Sequence, residues 1–127
     1  MRRPKAARKK SRPETPKLYK VSEEMKEWAA MLAGEVGTWP GVRSKPMFGL
    51  VSYYRKDKIF AALPRTRAVT SPYSIIFKFH AENAETRKAR QQLQKYPATG
   101  WASFELQSAK DLNAALRWLD LAYRMAR

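Results

Sequence analysis

The stretch KPMFGLVSYYRKDKIFAAL, residues 45–63, decides the predicted fold. A Met-Phe-Gly step opens it, and an alternating run over Leu50–Arg55 follows. After the charged break Lys56–Lys58, a second apolar run covers Ile59–Leu63. Alternation at every second residue is typical of a strand with one buried face. The stretch therefore predicts two neighbouring strands, joined by a turn that lacks the glycine of a strong hairpin signal.

The same stretch also has to be judged as a binding site. One glycine does not make a phosphate-cradling loop, so we expect Gly49 to permit a bend or bulge after a strand. We expect Met47 and Phe48 to pack in the core or at a sheet edge. Tyr53 and Tyr54 (with Trp101 further along) have the rings to stack on bases, but their spacing favours cross-strand packing.

Outward from this stretch, helix-like and strand-like segments follow one another with short connections. This order favours an α+β domain, with an antiparallel sheet of about four to five strands packed against N- and C-terminal helices. In the first half of the chain we expect a helix after Ser22, a short strand over 43–48, the two strands above and a loop over Pro64–Pro72. In the second half we expect a central strand over Tyr73–His80, a polar helix over 82–95 and a strand over Gly100–Leu106. A last helix begins near Ser108–Asp111.

The last helix has a wider apolar arc than a simple surface helix needs. Trp118, Leu121 and Met125 extend an apolar face that already runs from Leu112 to Ala126. We therefore expect this helix to lie between the sheet and a further element, which is either the first helix or a second subunit.

Composition limits the classes of function. The chain has 127 residues, no cysteine and one histidine, His80. This excludes disulfides, thiolate catalysis and a histidine-rich metal cluster. No apolar run is long enough for a membrane span. We expect one domain over residues 21–127, no cofactor, no enzymatic activity and a cytoplasmic location, with His80 making a local hydrogen bond at a strand end.

The charge of the chain is the main functional signal. The formal net charge is +15, and residues 1–20 contribute nine basic residues against Glu14 alone. Residues 1–20 also lack the apolar groups needed for a core, so we expect a disordered basic arm that binds phosphates without reading sequence. DNA is the favoured partner over RNA. The candidate contacts are Arg2, Arg3, Lys5, Arg8, Lys9, Lys10 and Arg12 in the arm, with Lys56, Lys58, Arg65 and Arg67 in the domain.

The segment 43–63 resembles the signature of the TfoX N-terminal domain family (the YjbR-related Sxy/TfoX competence regulators). The resemblance implies an α+β domain with no known catalytic residues and a link to transcription regulation of bacterial DNA uptake. The chain departs from the family pattern at Leu50, where a second glycine is common, and in its basic arm. The residues that carry the resemblance are Met47, Phe48, Gly49, Phe60 and Ala61.

Three classes of function stay open at this point. The first is a non-enzymatic regulatory or nucleic-acid-associated protein. The second is a protein-interaction module without nucleic-acid binding. Trp118, Leu121 and Met125 motivate it, and a second copy of the chain is one candidate partner for them. The third is an enzyme or small-ligand binder, which would require a deep pocket with convergent polar groups.

Overall fold

A computed structural model describes residues 18–95 and 98–127. Within these residues the chain forms three α-helices and eight strands, several of them very short. The elements are β1 (Tyr19–Lys20), α1 (Glu23–Val36), β2 (Val42–Met47), β3 (Leu50–Arg55), β4 (Lys58–Pro64), β5 (Arg67–Ala68), β6 (Ser74–Lys78), α2 (Ala84–Gln91), β7 (Gln94–Lys95), β8 (Trp101–Glu105), a 3-10 turn (Ala109–Asp111) and α3 (Leu112–Met125).

The main sheet is antiparallel, with the strand order β2-β3-β4-β6-β8-β7. Five of its strands have five to seven residues, and β7 adds a two-residue edge. A separate small sheet pairs β1 with β5. The predicted α+β class with an antiparallel sheet is confirmed, and Tyr73–His80 does contain a central strand.

Helix α1 begins as predicted. The Ser22 hydroxyl accepts a hydrogen bond from the Met25 amide at 3.1 Å, which satisfies one of the free N–H groups of the first turn. At the other end, the Gly37 amide donates to the Ala33 carbonyl at 2.9 Å. The residues facing the sheet recur at helical spacing and are all buried: Met25, Trp28, Ala29, Leu32 and Val36.

The main core lies between the helices and one face of the sheet. A β-bulge shapes it, because Tyr53 pairs with Ala61 while Tyr54 pairs with Ile59, which leaves Phe60 as an additional residue in β4. Phe60 is fully buried and contacts the rings of Trp39 and Tyr123, at centroid distances of 6.5 and 5.6 Å. The bulge thus brings Phe60 into the same core as its neighbour Ala61.

The other face of the sheet has a smaller core of its own. Leu50, Ala62 and Ile76 are buried there with Val69, which belongs to the segment after β5. The hydroxyls of Thr70 and Ser103 lie 2.7 Å apart in a hydrogen bond. The segment after β5 therefore folds back over this face, and the predicted 64–72 loop is in part a cover for the sheet.

Helix α3 packs on the sheet and also contacts α1. Leu121 is only 4% exposed, and Trp118 and Met125 pack partly against the main core. The Asn83 side-chain amide, at the start of α2, lies 3.5 Å from the Met125 sulfur. The wide apolar arc is therefore largely covered by this chain itself.

Three expected boundaries differ from the structure. The polar helix predicted over 82–95 ends at Gln91, because Gln94 pairs with Ser103 as part of β7. The predicted 64–72 loop contains β5. Residues Tyr19 and Lys20, placed in the arm, form β1. Pairs of only two residues have no periodicity from which they could be predicted.

Candidate nucleic-acid interface

The Met-Phe-Gly step forms the tip of the β2–β3 hairpin. Met47 pairs with Leu50, so Phe48 and Gly49 are the two residues of the turn. Both have positive φ, 49° at Phe48 and 86° at Gly49. Two successive positive φ values are the mark of a type I′ turn, whose twist matches that of antiparallel strands. The glycine predicted to permit a bend is the second residue of this turn.

The turn is fastened to the segment that follows β4. The Gly49 carbonyl oxygen accepts from three consecutive backbone amides, those of Arg65, Thr66 and Arg67, at 3.0, 2.9 and 3.0 Å. A Cβ atom at Gly49 would lie 2.7 Å from Cγ of Arg67 and 2.9 Å from the Thr66 hydroxyl oxygen. Glycine is therefore required here both by φ and by the close approach of the second segment.

The small sheet extends this contact to the start of the described chain. Lys20 in β1 lies directly opposite Arg67 in β5. Residues directly opposite in an antiparallel pair project to the same side. Lys20 and Arg67 therefore share one side of the small sheet, next to the hairpin tip.

Three separate parts of the chain thus place basic residues close to the hairpin tip along the backbone. We call Lys20, Lys45, Arg65 and Arg67, together with Phe48, the tip cluster. All five residues are exposed. None of the four cations takes part in an ion pair within residues 18–95 and 98–127. Glu23, a nearby acidic residue in sequence, pairs with Lys26 at 3.0 Å.

Compared with protein-family models, with curated proteins and with solved structures, the chain matches none at a significant level. The resemblance to the TfoX N-terminal domain family therefore rests on the sequence and stays a prediction.

The environment of Phe48 differs from the one predicted for the Met-Phe-Gly step. Its side chain is 85% exposed, whereas Met47 packs partly against the smaller core with Leu50. The alternation of β2 ends at Met47, so the next residue belongs to the turn and projects away from both faces of the sheet. The expectation that Phe48 packs in the core or at an edge is wrong.

The other predicted cations of the domain lie elsewhere. Lys56 and Lys58 flank the β3–β4 turn, at the opposite end of β3 from Phe48, which is roughly 20 Å away for a strand of this length. Lys58 donates to the Arg127 carbonyl at 2.8 Å. Arg43 donates to the Lys56 carbonyl at 2.7 Å and lies 3.7 Å from Asp57. The seven predicted arm residues, Arg2 to Arg12, lie outside the described residues.

Several further basic side chains have structural partners. The Arg55 guanidinium lies 4.2 Å from the centre of the Tyr123 ring and donates to the Tyr123 carbonyl at 3.0 Å. Arg90 pairs with Glu82 at 2.9 Å. Arg124 lies between two carboxylates, those of Glu85 and Asp120, at 3.4 and 2.9 Å. These side chains hold helices and strands together, which distinguishes them from the tip cluster.

The aromatic residues considered for base stacking are packed instead. Tyr53 is 5% exposed in the main core, and Trp101 packs partly against the smaller core. Tyr54 is half-buried beside Ile59. The cross-strand packing that their spacing favours is confirmed, and the exposed ring of the hairpin is Phe48.

Tyr53 gives a test of this packing through pH. Burial raises the pKa of the Tyr53 hydroxyl above its usual value near 10. Because the unfolded chain loses this proton at lower pH than the folded chain, the free energy of unfolding falls as pH rises. The fall begins near pH 10 and ends at the raised pKa of the folded state. We expect Tyr53→Phe to reduce this alkaline loss. Urea unfolding between about pH 8 and pH 11 measures it, and an equal loss in both proteins would contradict the assignment.

Other features of the described residues bear on catalysis, metal binding and membrane insertion. The His80 Nε2 atom lies 2.6 Å from the Ile59 carbonyl oxygen, so the local hydrogen bond predicted for it is present. Within the described residues no group of three or more acidic, histidine or cysteine side chains could hold a metal ion. No helix there is long and apolar enough to cross a membrane.

Open grooves border the helices, and two of them bear on the alternative functions. One of about 440 Å³ lies between α2 and α3, where Arg124 joins Glu85 to Asp120. The other, of about 400 Å³, lies between α1 and β3 and is lined by alanines, Tyr53, Lys26 and Arg65. The carboxylates of the first groove both pair with Arg124, Glu85 from α2 and Asp120 from α3 itself. The second groove places Arg65 close to the helix side of the domain.

Proposed function

We propose that this protein is a non-enzymatic regulatory protein that associates with nucleic acid through phosphate contacts, without reading sequence. The observation that carries the proposal is the tip cluster, in which four cations from three segments lie near the hairpin tip and none has an acidic partner among the described residues. Arg67 also donates to the Thr66 carbonyl at 3.4 Å, a contact that leaves its charge unpaired. Cations without an acidic partner can neutralise phosphates.

The arm adds to this proposal through the sequence. It carries a net charge of +8 over residues 1–20, and β1 places the end of that segment, Lys20, opposite Arg67. We propose that the arm and the tip cluster act on the same polyanion, with DNA favoured over RNA. A cytoplasmic location is part of the same proposal.

Salt dependence tests the phosphate contacts. Each neutralised phosphate of duplex DNA contributes about −0.9 to the slope of log K against log salt. We expect the double variant Arg65→Gln with Arg67→Gln to weaken binding of a 15-base-pair duplex and to reduce the slope by about two. Fluorescence anisotropy of a labelled duplex, titrated at several salt concentrations, measures both quantities.

The control has the same change in charge at another place. Arg87→Gln with Lys88→Gln alters two exposed cations on α2, remote in sequence from the hairpin tip. It should leave the slope within about half a unit of the wild type. Absence of binding by the full chain at low salt, or an equal loss in both double variants, would overturn the proposal. Deleting residues 1–17 measures the share of the arm in the same assay.

The alternative function, a protein-interaction module, was suggested by the wide apolar arc of α3. Leu121 is buried, and Trp118 and Met125 pack on the main core, so that arc offers little free apolar area. Light scattering separates the alternatives: a dimer without affinity for DNA would favour the interaction module, and a monomer that binds DNA favours the tip cluster.

A further inference from the structure

Phe48 has an unusual combination of exposure and backbone conformation. Its side chain is 85% exposed and its φ is +49°. The first residue of a type I′ turn is ordinarily asparagine, aspartate or glycine, because a bulky side chain is strained in the left-handed region. Folding gains neither burial nor turn geometry from a phenylalanine at this position, so its contribution has to be sought in a contact outside the fold.

The backbone that carries the ring is also held in place. The turn is closed by the Met47–Leu50 pair, and the three amide donors on the Gly49 carbonyl join it to the segment after β4. An aromatic side chain on such a support loses little conformational freedom on binding, since it has only two rotatable bonds. The tip therefore presents a flat apolar ring on a preorganised backbone.

The surroundings of the ring define the chemistry of its partner. A phenyl ring offers no hydrogen-bonding group, so it binds a flat or apolar surface. The side chain of Arg67 lies against Gly49, next to Phe48 in the turn, and Lys20 lies opposite Arg67. A partner that satisfies both features has a flat π face close to a negative charge. An unpaired nucleobase on its phosphate backbone has both.

We propose that Phe48 stacks on an unpaired base, so that the tip cluster binds single-stranded nucleic acid more tightly than duplex. This inference rests on the proposed function. In a duplex the bases are already stacked on one another, and inserting a ring requires that a base step be opened first. A lipid interface is the weaker fit, because one exposed ring gives little apolar area to insert, whereas one ring is enough to stack on one base.

The test measures the affinity of two probes for three forms of the 127-residue protein, which are the wild type, Phe48→Asn and Phe48→Tyr. The probes are a 15-residue oligo(dT) strand and a 15-base-pair duplex at the same salt concentration. Phe48→Asn removes the ring and places a residue preferred in type I′ turns, so the fold is kept. We expect Phe48→Asn to weaken oligo(dT) binding roughly 5- to 100-fold, while duplex binding stays within about twofold. Phe48→Tyr keeps a ring and should restore most of the single-strand affinity.

Thermal unfolding is the second measurement. Phe48→Asn should have a melting temperature equal to or above that of the wild type, because a strained turn residue is replaced by a favourable one. A weaker affinity with an undiminished melting temperature then assigns the loss to stacking. To test a membrane as the partner, the binding of the same variants to vesicles of phosphatidylserine and phosphatidylcholine is measured.

The outcomes separate the inference from the proposed function. If the wild type binds neither probe at low salt, the proposed function fails. If it binds both but Phe48→Asn changes neither affinity, or both equally, the stacking role is wrong and phosphate binding stands. If Phe48 is needed for vesicles but not for oligo(dT), the partner is a membrane surface and the inference is overturned.

Discussion

Replacing Phe60 by alanine should lower the free energy of unfolding by about 3–5 kcal/mol, the range for removal of a buried phenyl ring. Phe60 is fully buried, and its ring packs between Trp39 and Tyr123. It is also the additional residue of the β-bulge, so the cavity would open where β4 meets α3 and the turn after α1. Urea unfolding at neutral pH measures the change.

The matched control for this prediction is Phe48→Ala, the same chemical change at an exposed position. Since 85% of the Phe48 side chain is already in water, the loss should be within about 0.5 kcal/mol. Equal losses in the free energy of unfolding for the two variants would contradict the burial of Phe60.

Replacing Gly49 by alanine should lower the free energy of unfolding by about 2–4 kcal/mol, because two penalties act together. At φ +86° an L-residue is strained, and the new Cβ would meet Cγ of Arg67 at 2.7 Å and Cβ of Arg67 at 2.9 Å. The near part of the Arg67 side chain cannot move away without shifting β5. The hydrogen bonds from residues 65–67 to the Gly49 carbonyl would weaken as well.

Gly34→Ala is the control for the glycine prediction. Gly34 lies in the exposed part of α1, and a Cβ atom there has no other atom within 4 Å. Because alanine is a better helix former than glycine, this variant should gain about 0.5–1 kcal/mol. Opposite signs for the two glycines are the expected result in urea unfolding. A loss at both positions would contradict the description of the hairpin tip.

The parts of the fold that were predictable are those with local periodicity. The buried residues of α1, from Met25 to Val36, recur at helical spacing, and the strand after Gly100 has Ala102, Phe104 and Leu106 on its core side. These patterns are set by one buried face and need no knowledge of distant partners. The α+β class followed from their order along the chain.

The parts that could not be predicted depend on contacts between distant residues. The pairing of Lys20 with Arg67 and the hydrogen bonds from 65–67 to Gly49 involve segments that are adjacent only in the folded chain. The charges of Arg65 and Arg67 were visible in the sequence, but the position of Lys20 opposite Arg67 and of residues 65–67 beside the hairpin tip was not. The Lys56–Lys58 turn had the same charge signal and lies at the other end of β3.

Phe48 shows why a motif can be read correctly in one respect and wrongly in another. The glycine after it indicated a bend, and the structure has a turn there. A two-residue turn takes Phe48 out of the alternation that would have buried it. Asparagine before the glycine would have made the hairpin evident from the sequence, and phenylalanine obscured it.

The position of β2 at the border of the main sheet has a consequence for self-association. A free strand edge is a template on which another chain can add a strand and start aggregation. Here the outer strand carries Arg43 and Lys45, both exposed, and Pro46, which has no N–H to donate. Like charges repel a second copy approaching in register, and the proline interrupts the ladder it would need. Lys45 thus has a second role, since the charge that we propose contacts a polyanion also disfavours pairing of identical chains.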